Sequence, residues 1–192
     1  MAKYDDYHTA LAGELDYKRT CTSAHFQRGR VFQYDIFSRS PPREFNSCDV
    51  FYADLPWRSG FAEFEGRAGA SGRRYGDFLE AVKWHVELFS KPTILVTGKH
   101  AIKALDPHEV IETKLNGDPA MALCWNVCLP ISGNEHQILA TIAEEYAHGG
   151  DLCCGYGRTA KAFKDAGKWF TVSDYNPRCV AYVADKLGGV RC

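Results

Sequence analysis

The chain has 192 residues, of which 45% are hydrophobic and 24% are charged, and its formal net charge is −1. This composition is that of a globular protein and argues against an intrinsically disordered chain. A charge so close to zero excludes a generally basic protein, so any surface for nucleic acid must be local. The residues after Met1 lack the apolar core of a signal peptide, and no apolar run reaches membrane-spanning length. We therefore expect a cytoplasmic protein.

Eight cysteines and seven histidines raise the question of a metal site. The cysteines form no CxxC pair and the histidines form no HxxxH pair, so the spacings typical of zinc ligands are missing. Most of the cysteines lie among apolar residues, where a free thiol behaves as a small hydrophobic group. The sequence therefore predicts buried, reduced cysteines and no metal.

Predicted strands and helices alternate along the chain. Strands are expected at residues 30–37, 49–53, 92–98, 121–130 and 168–174, with a short strand leading into residue 151. Helices are expected at residues 77–90, 134–148, 158–167 and 177–189, and Gly149 is expected to end the second of them. Residues 58–76 are rich in glycine and arginine and predict a long mobile loop. The alternation indicates one α/β domain, residues 1–192, with a parallel, doubly wound sheet covered on both faces.

A glycine-rich turn, in the sequence DLCCGYGRT, lies between a predicted strand and a predicted helix. Gly155 and Gly157 leave room for a ligand to approach backbone N–H groups at the start of the helix. Asp174 ends the next strand, where a carboxylate can accept hydrogen bonds from two ribose hydroxyls. These residues indicate a nucleoside site. The alternative is a tight turn followed by an ordinary strand-end aspartate, with no ligand. Ala160 stands where a dinucleotide fingerprint has its third glycine, so a nicotinamide oxidoreductase stays an alternative.

The most hydrophobic predicted strand stops at Asp54, which is followed by Leu55, Pro56 and Trp57. A carboxylate at this position is costly unless it is paired or used. An aspartate oxygen and a backbone carbonyl can each accept one hydrogen of an exocyclic amino group, which stabilises the charge that develops as the nitrogen attacks. The flat face of Trp57 can stack on a base. The pattern predicts a site for an amino group on a planar ring.

These two motifs resemble those of the amino-group DNA methyltransferases. The sequence DLPW resembles the family's [DNS]PP[YFW] motif, and DLCCGYGRT resembles its DxFxGxGxT motif for S-adenosylmethionine. The catalytic motif precedes the cofactor motif, as in the circularly permuted β-class. The resemblance runs from about residue 30 to the C-terminus and implies a permuted, Rossmann-like class I methyltransferase sheet. It implies a catalytic half at about 30–130, a cofactor-binding half at about 131–192 and an N-terminal extension at 1–29.

The resemblance also implies roles for individual residues. The catalytic motif comprises Asp54, Leu55, Pro56 and Trp57. The residues expected to bind S-adenosylmethionine are Asp35, near the adenine, and Asp151, Cys153, Gly155, Gly157, Asp174 and Tyr175. The implied reaction is direct methyl transfer to the N6 amino group of adenine in DNA. The alternatives are cytosine N4, RNA or a protein amide as the target, and a catalytically silent nucleoside-binding module.

The chain departs from the family pattern at three places. Leu55 replaces the first proline of the catalytic motif, but the interaction needs only a backbone carbonyl, which leucine has. Gly149 and Gly150 replace branched apolar residues, which predicts a short or distorted strand, and Asn134 and Glu135 replace a Lys-Pro pair. Little length is left for a separate recognition domain. We therefore expect short or relaxed sequence specificity, as would suit an enzyme of a phage or mobile element acting in a bacterial host.

Basic residues are concentrated in one part of the sequence. Ten lysines and arginines but only six acidic residues lie between positions 18 and 74. Four arginines of the glycine-rich segment are candidates for phosphate contacts with DNA that is single-stranded or has a flipped base: Arg58, Arg67, Arg73 and Arg74. The alternative is an ordinary solvated loop. Lys99 and His100 follow a strand at the expected active-site edge and are further candidates, whereas His85 is expected to be a packed residue of a helix.

Overall fold

The computed structural model describes residues 19–70 and 72–192, without the side chains of Glu63, Phe64 and Arg67. Its strands are β1 (Ser23–Phe26), β2 (Gly29–Gln33), β3 (Val50–Asp54), β4 (Thr93–Thr97), β5 (Glu109–Leu115), β6 (Asp118–Trp125), β7 (His148–Asp151), β8 (Trp169–Asp174) and β9 (Val190–Arg191). Within the described residues they form one nine-stranded sheet in the order β5-β6-β4-β3-β7-β8-β2-β1-β9.

The middle of the sheet is parallel and its two edges are antiparallel. The strands β4, β3, β7, β8 and β2 are parallel neighbours. The hairpin β5–β6 joins β4 antiparallel, and β1 pairs antiparallel with both β2 and β9 at the other edge. The α/β prediction is confirmed, and the predicted parallel sheet forms the centre, but the antiparallel edges were not predicted. The missed strand β5 carries exposed charged residues because it lies at the edge of the sheet, so it lacks the apolar run of a buried strand.

Helices cover both faces of the sheet. They are α1 (Phe61–Arg67), α2 (Tyr75–Phe89), α3 (Ile102–Leu105), α4 (Glu135–Glu145), α5 (Arg158–Asp165) and α6 (Pro177–Leu187). On one face, Tyr52 of β3 belongs to a buried cluster with Ile138 of α4 and Phe163 of α5. On the other face, Ala53 belongs to a cluster with Phe78 of α2. Successive strand residues point to opposite faces, so β3 is buried on both sides, as predicted.

Two local predictions are wrong between residues 30 and 76. The strand predicted at 30–37 ends at Gln33, and Asp35 then caps a short 3₁₀ helix (Ile36–Ser38) by accepting the N–H of Phe37 at 3.1 Å. The predicted loop 58–76 contains α1. Phe61 and Glu65, which lie four residues apart, share the buried face of this helix, and that spacing supports a helical turn despite the surrounding glycines.

The strand β7 has an unusual composition, because two of its four residues are Gly149 and Gly150. The prediction that Gly149 ends the preceding helix is wrong, since α4 stops at Glu145 and Gly149 lies inside the sheet. A Cβ atom on Gly149 would overlap the ring of Phe163, and one on Gly150 would lie 2.6 Å from the ring of Phe51. The glycines therefore let two aromatic rings pack directly on the backbone of a strand that is short, as expected.

The parallel strands bring acidic residues to one edge of the sheet. Asp54 ends β3, Asp151 ends β7 and Asp174 ends β8, while Asp35 lies two residues beyond β2. Because these four strands are adjacent and parallel, their carboxyl ends share an edge. In the described ranges no helix is long and apolar enough to cross a membrane, and no group of three or more His, Cys, Asp or Glu side chains could hold a metal ion.

Candidate active site

One cavity joins the two sequence motifs. It has a volume of about 310 Å³ and lies between the ends of β3 and β7. Asp54 to Trp57 line one side, and the glycine-rich turn after Asp151 lines the other. The volume is at the lower end of the range for small-molecule sites, about 300–1,000 Å³. The residues predicted to hold a target therefore share a space with three of the predicted cofactor residues, Asp151, Cys153 and Gly155.

The carboxylate of Asp54 faces this cavity at the end of β3. About a third of the side chain is exposed, with a relative accessibility of 34%. Burial raises the pKa of Asp54 from 3.8 to about 7, the nearby Arg158 guanidinium opposes the rise, and the Glu135 carboxylate adds to it. Burial dominates because the exposed atoms face a narrow cavity and not bulk solvent. This carboxyl group can therefore exchange a proton close to neutral pH.

Arg158 links Asp54 to two residues that sequence reasoning missed. Its Nη1 atom lies 3.7 Å from Asp54 Oδ2 and forms an ion pair with Glu135 Oε2. Its Nη2 atom donates to the side-chain oxygen of Asn116 at 2.9 Å. Glu135 is almost fully buried at the start of α4, where the Asn134 cap fixes the helix. The sequence indicates Arg158 only as a charged residue directly after Gly157. It does not indicate the partners, because Asn116 and Glu135 are far from Arg158 along the chain.

The backbone of the catalytic motif is held by the neighbouring strand and by a tight turn. The N–H of Leu55 donates to the carbonyl of Val96 in β4 at 3.0 Å, and the N–H of Gly60 donates to the carbonyl of Trp57 at 2.9 Å. The Leu55 side chain is buried, which anchors the motif to the core. The indole of Trp57 packs at the edge of the core and also lines the cavity, and its Nε1–H has no hydrogen-bond partner in the structure.

His100 lies beside the same turn. Its Nε2 atom is 3.3 Å from the backbone nitrogen of Arg58 and 3.1 Å from the hydroxyl of Tyr75. Burial and the Arg58 charge lower the pKa of His100, which favours the neutral ring. The sequence predicts Lys99 and His100 at this edge of the sheet, and His100 lies next to Arg58, the residue that follows Trp57.

The glycine-rich turn is organised around Asp151. Asp151 Oδ1 accepts the N–H of Cys153 at 2.9 Å, and its Oδ2 accepts the hydroxyl of Thr159 at 2.6 Å. Burial raises the pKa of Asp151 to about 8. Gly157 has φ 74° and a Cβ atom there would lie 2.7 Å from Val183, whereas a Cβ atom on Gly155 would meet no atom within 4 Å. The turn therefore packs tightly against α6 at Gly157 and is open at Gly155.

Asp174 ties this turn to β8. Its Oδ2 accepts the N–H of Gly155 and its Oδ1 accepts the N–H of Asn176, both at 2.8 Å. Burial raises the pKa of Asp174 to about 6, and the two backbone hydrogen bonds oppose that rise. Each carboxylate oxygen can accept a second hydrogen bond, so these contacts leave acceptor capacity for a ligand.

A second, narrow slot lies beside Asp174 at the ends of β2 and β8. The guanidinium of Arg73 lies 4.5 Å from the ring centres of both Phe37 and Tyr175. It donates to both carboxylate oxygens of Asp35, at 3.1 and 2.7 Å. The free volume left in the slot is about 20 Å³, which is enough for about one water molecule.

The four arginines predicted to contact nucleic acid have different surroundings. Arg74 is exposed and forms an ion pair with Asp77 at 3.2 Å. Arg58 is also exposed and its backbone lies at the cavity edge, whereas the charge of Arg73 is directed into the slot. The side chain of Arg67 lies outside the described part of the structure.

His85 is a packed residue, as predicted. Its side chain is fully buried and its ring nitrogens lie 2.8 Å from the Tyr34 hydroxyl and 2.8 Å from the Ala81 carbonyl. Burial lowers its pKa, so the ring is held in the neutral form. It lies on the buried face of α2 and does not line the cavity.

The sheet order, the covering helices and the cavity at the carboxyl ends of the strands define a Rossmann-like α/β fold. Two solved structures share this fold. The crystal structure of M1.HpyAVI matches with a TM-score of 0.56 at 13% sequence identity, and the crystal structure of the M1.HpyAVI–SAM complex matches with 0.54 at 11%. Each alignment covers 83% of this chain and 98% of the other. No protein-family profile and no curated protein sequence matches the chain.

Proposed function

We propose that the chain is an S-adenosylmethionine-dependent methyltransferase that acts on the N6 amino group of adenine in DNA. The observation that carries the proposal is the single cavity shared by Asp54–Trp57 and the glycine-rich turn. The fold likeness supports it, because the SAM complex of M1.HpyAVI has the same architecture. In this chain β3 precedes β7 although the two strands are neighbours in the sheet, which supports the permuted order of catalytic and cofactor motifs.

The side chains around the cavity fit this cofactor. Asp174 places a carboxylate beside the open backbone at Gly155, where it can accept hydrogen bonds from ribose hydroxyls. Asp151 lines the cavity next to the same turn. Tyr175 and Phe37 offer ring faces suited to a planar base. S-adenosylmethionine would supply an activated methyl group on a positively charged sulfur. We also propose that Asp35, Cys153 and Gly157 belong to the site that binds S-adenosylmethionine.

Asp54 and its neighbours would orient and activate the target. The Asp54 carboxylate and the Leu55 carbonyl would each accept one hydrogen of the amino group, and Trp57 would stack on the adenine ring. Pro56 would fix the turn between them. Methyl transfer leaves a positive charge on the amino nitrogen until it loses a proton. An Asp54 carboxylate with a pKa of about 7 can accept that proton near neutral pH.

We propose DNA as the partner because exposed arginines lie close to the catalytic motif in the sequence. Arg58 and the exposed Arg74 lie on the segment that follows the catalytic motif, where they could contact phosphates. The described residues between β3 and β4 form two helices and short connections, which leaves little room for an independent recognition module. We therefore propose a short or relaxed target sequence.

The test is transfer of a labelled methyl group from S-adenosylmethionine to defined substrates. An adenine-containing duplex should be methylated and a duplex built only from dG and dC should not, and Asp54→Asn should abolish most of the signal. Methylation of the dG/dC duplex would instead assign the activity to cytosine N4. Methylation of RNA or a protein amide but not of DNA would replace the substrate. Calorimetric binding of NAD but not of S-adenosylmethionine would overturn the proposed class.

A further inference from the structure

Arg73 is held in an unusual environment for an arginine close to a protein surface. Its guanidinium lies between the rings of Phe37 and Tyr175, 4.5 Å from each ring centre. It pairs with Asp35 through two hydrogen bonds, and its Nε atom lies 3.6 Å from the buried Glu65. Two cation–π contacts and a bidentate ion pair act on the same guanidinium, so the side chain is held in one position.

Arg73 occupies a slot that is lined by candidate cofactor residues. The slot is lined by Asp35, Cys153, Asp174 and Tyr175, all of which are candidate cofactor residues. It lies next to the open cavity of about 310 Å³, and Cys153 lines both spaces. The open cavity contains the catalytic motif, so the base and ribose of a bound nucleoside would extend towards Asp174 and into the slot. With Arg73 in place, only about 20 Å³ is free there.

Arg73 and an aminopurine would use the same features of the slot. Both are flat, both can lie between two aromatic rings, and both present N–H donors at their edge to a carboxylate. Asp35 can accept from a guanidinium or from the amino group of a base, but the slot does not have room for both planes. Occupation by Arg73 and occupation by the base of the cofactor are therefore mutually exclusive.

We propose that Arg73 is an internal occupant of the nucleoside part of the cofactor site, and that it must leave the slot when S-adenosylmethionine binds. This inference rests on the proposed function. A binding-competent state that is only partly populated lowers the apparent affinity in proportion to its population. Removal of the Arg73 guanidinium should consequently raise the affinity for the cofactor, the opposite of what loss of a ligand contact produces.

The experiment is titration calorimetry of S-adenosylmethionine into the whole chain and into three variants. Arg73→Ala should bind roughly 5-fold tighter or more, the lower end of usual coupling between competing states. Arg73→Lys keeps a positive charge beside Asp35 and Glu65 but has no flat group for the slot, so it should also bind tighter than the parent. Arg30→Ala is the control, because it removes an arginine of β2 that forms a surface ion pair with Glu44.

The outcomes separate the inference from the proposed function. Equal or weaker binding by Arg73→Lys and Arg73→Ala, while the parent binds, overturns the inference and leaves the methyltransferase assignment intact. If Arg73→Ala loses its cooperative thermal transition, the Lys variant alone decides. A gain in affinity by Arg30→Ala equal to that of the Arg73 variants would also overturn it, since the effect would then follow from net charge. Absence of binding by the parent and all variants overturns the proposed function and the inference together.

Discussion

The Nη1 atom of Arg158 contacts two carboxylates at once, the buried Glu135 and the cavity-facing Asp54, the latter at 3.7 Å. Glu135 is the closer partner, and Asn116 holds the other end of the guanidinium at 2.9 Å. Arg158 is thus fixed from behind while its charge acts on Asp54. The position of the arginine, and through it the ionisation of Asp54, depends on a residue at the start of α4.

Arg158→Met should move the acidic limb of the pH–rate profile for methyl transfer to higher pH by roughly one unit, the lower end for loss of an opposite charge within about 4–6 Å. The reason is that the Arg158 charge lowers the pKa of Asp54, so its removal leaves the carboxyl group protonated over a wider pH range. Lys161→Met on the same helix is the control, because Lys161 pairs with exposed Asp165 away from the cavity. An unchanged profile in Arg158→Met would dissociate Arg158 from Asp54.

Asp54→Asn should be more stable than the parent protein at pH 8, and this advantage should shrink as the pH is lowered. The pKa of Asp54 is about 7 in the folded protein and 3.8 as its ordinary value, so the folded state binds more protons between these pH values. The protonated Asp54 carboxyl group therefore stabilises the folded protein fully below pH 3.8. This stabilisation is lost as the pH rises through about 7, because the buried group must then carry a charge.

Urea unfolding of both proteins at pH 5.5 and pH 8 measures this change. Methyl transfer by Asp54→Asn should at the same time fall by roughly 100-fold or more, because an acceptor aimed at developing charge is lost. A variant that is less stable than the parent at pH 8 would contradict the raised pKa.

Trp57→Ala should weaken capture of the target base by about 1–3 kcal/mol, the usual contribution of base stacking on an aromatic ring. Because the ring packs at the edge of the core and lines the cavity, Trp57→Phe should keep the fold and much of the activity. Steady-state kinetics distinguish the roles, since loss of stacking should appear mainly in KM and loss of Asp54 mainly in kcat. A loss in kcat alone for Trp57→Ala would argue against a stacking platform.

Gly157→Ala should destabilise the protein more than Gly155→Ala. Both glycines have positive φ, 74° and 47°, which costs about 1–2 kcal/mol for a residue with a Cβ atom. Only at Gly157 would the added atom also meet Val183, at 2.7 Å. The difference between the two unfolding free energies therefore isolates the contact with α6. Equal values would show that the backbone conformation alone demands glycine.

Asp174→Ala should weaken cofactor binding by about 1.5–3 kcal/mol, the range for hydrogen bonds to a charged group. Part of the loss would come from the turn itself, because Asp174 accepts the backbone N–H groups of Gly155 and Asn176. Asp174→Asn keeps one acceptor oxygen and should have a smaller effect on both affinity and thermal stability. Calorimetry with an intact fold and unchanged affinity for Asp174→Ala would remove this residue from the site.

The sequence was sufficient to predict which acids share an edge of the sheet. Asp54 and Asp174 each follow an apolar run and Asp151 opens the glycine-rich turn, and parallel strands place their carboxyl ends together, so the alternation of elements predicts that the two motifs meet. The buried strands were recognisable for the same reason. The hairpin strand β5 was not, because one face of an edge strand is solvated and its residues are mixed.

Contacts between distant positions had no such signal. Arg158 meets Glu135 across 23 positions and Asn116 across 42, and Arg73 meets Asp35 across 38. A single sequence shows the charge of each residue but not which charges pair, because pairing depends on how the turns are folded back on the sheet. The sequence predicts Arg73 as a phosphate contact but has no signal for its place in the slot beside Asp174.

The antiparallel pair β1–β9 places Ala24 opposite Arg191 and His25 opposite Val190. A gene that joined these two strands by a short turn and opened the chain between Trp125 and Glu135 would keep every neighbour in the sheet. The new chain would read the glycine-rich turn first and Asp54–Trp57 second. We expect such a rearranged chain to fold to the same sheet, because every strand would keep its neighbours and the cavity would keep its lining.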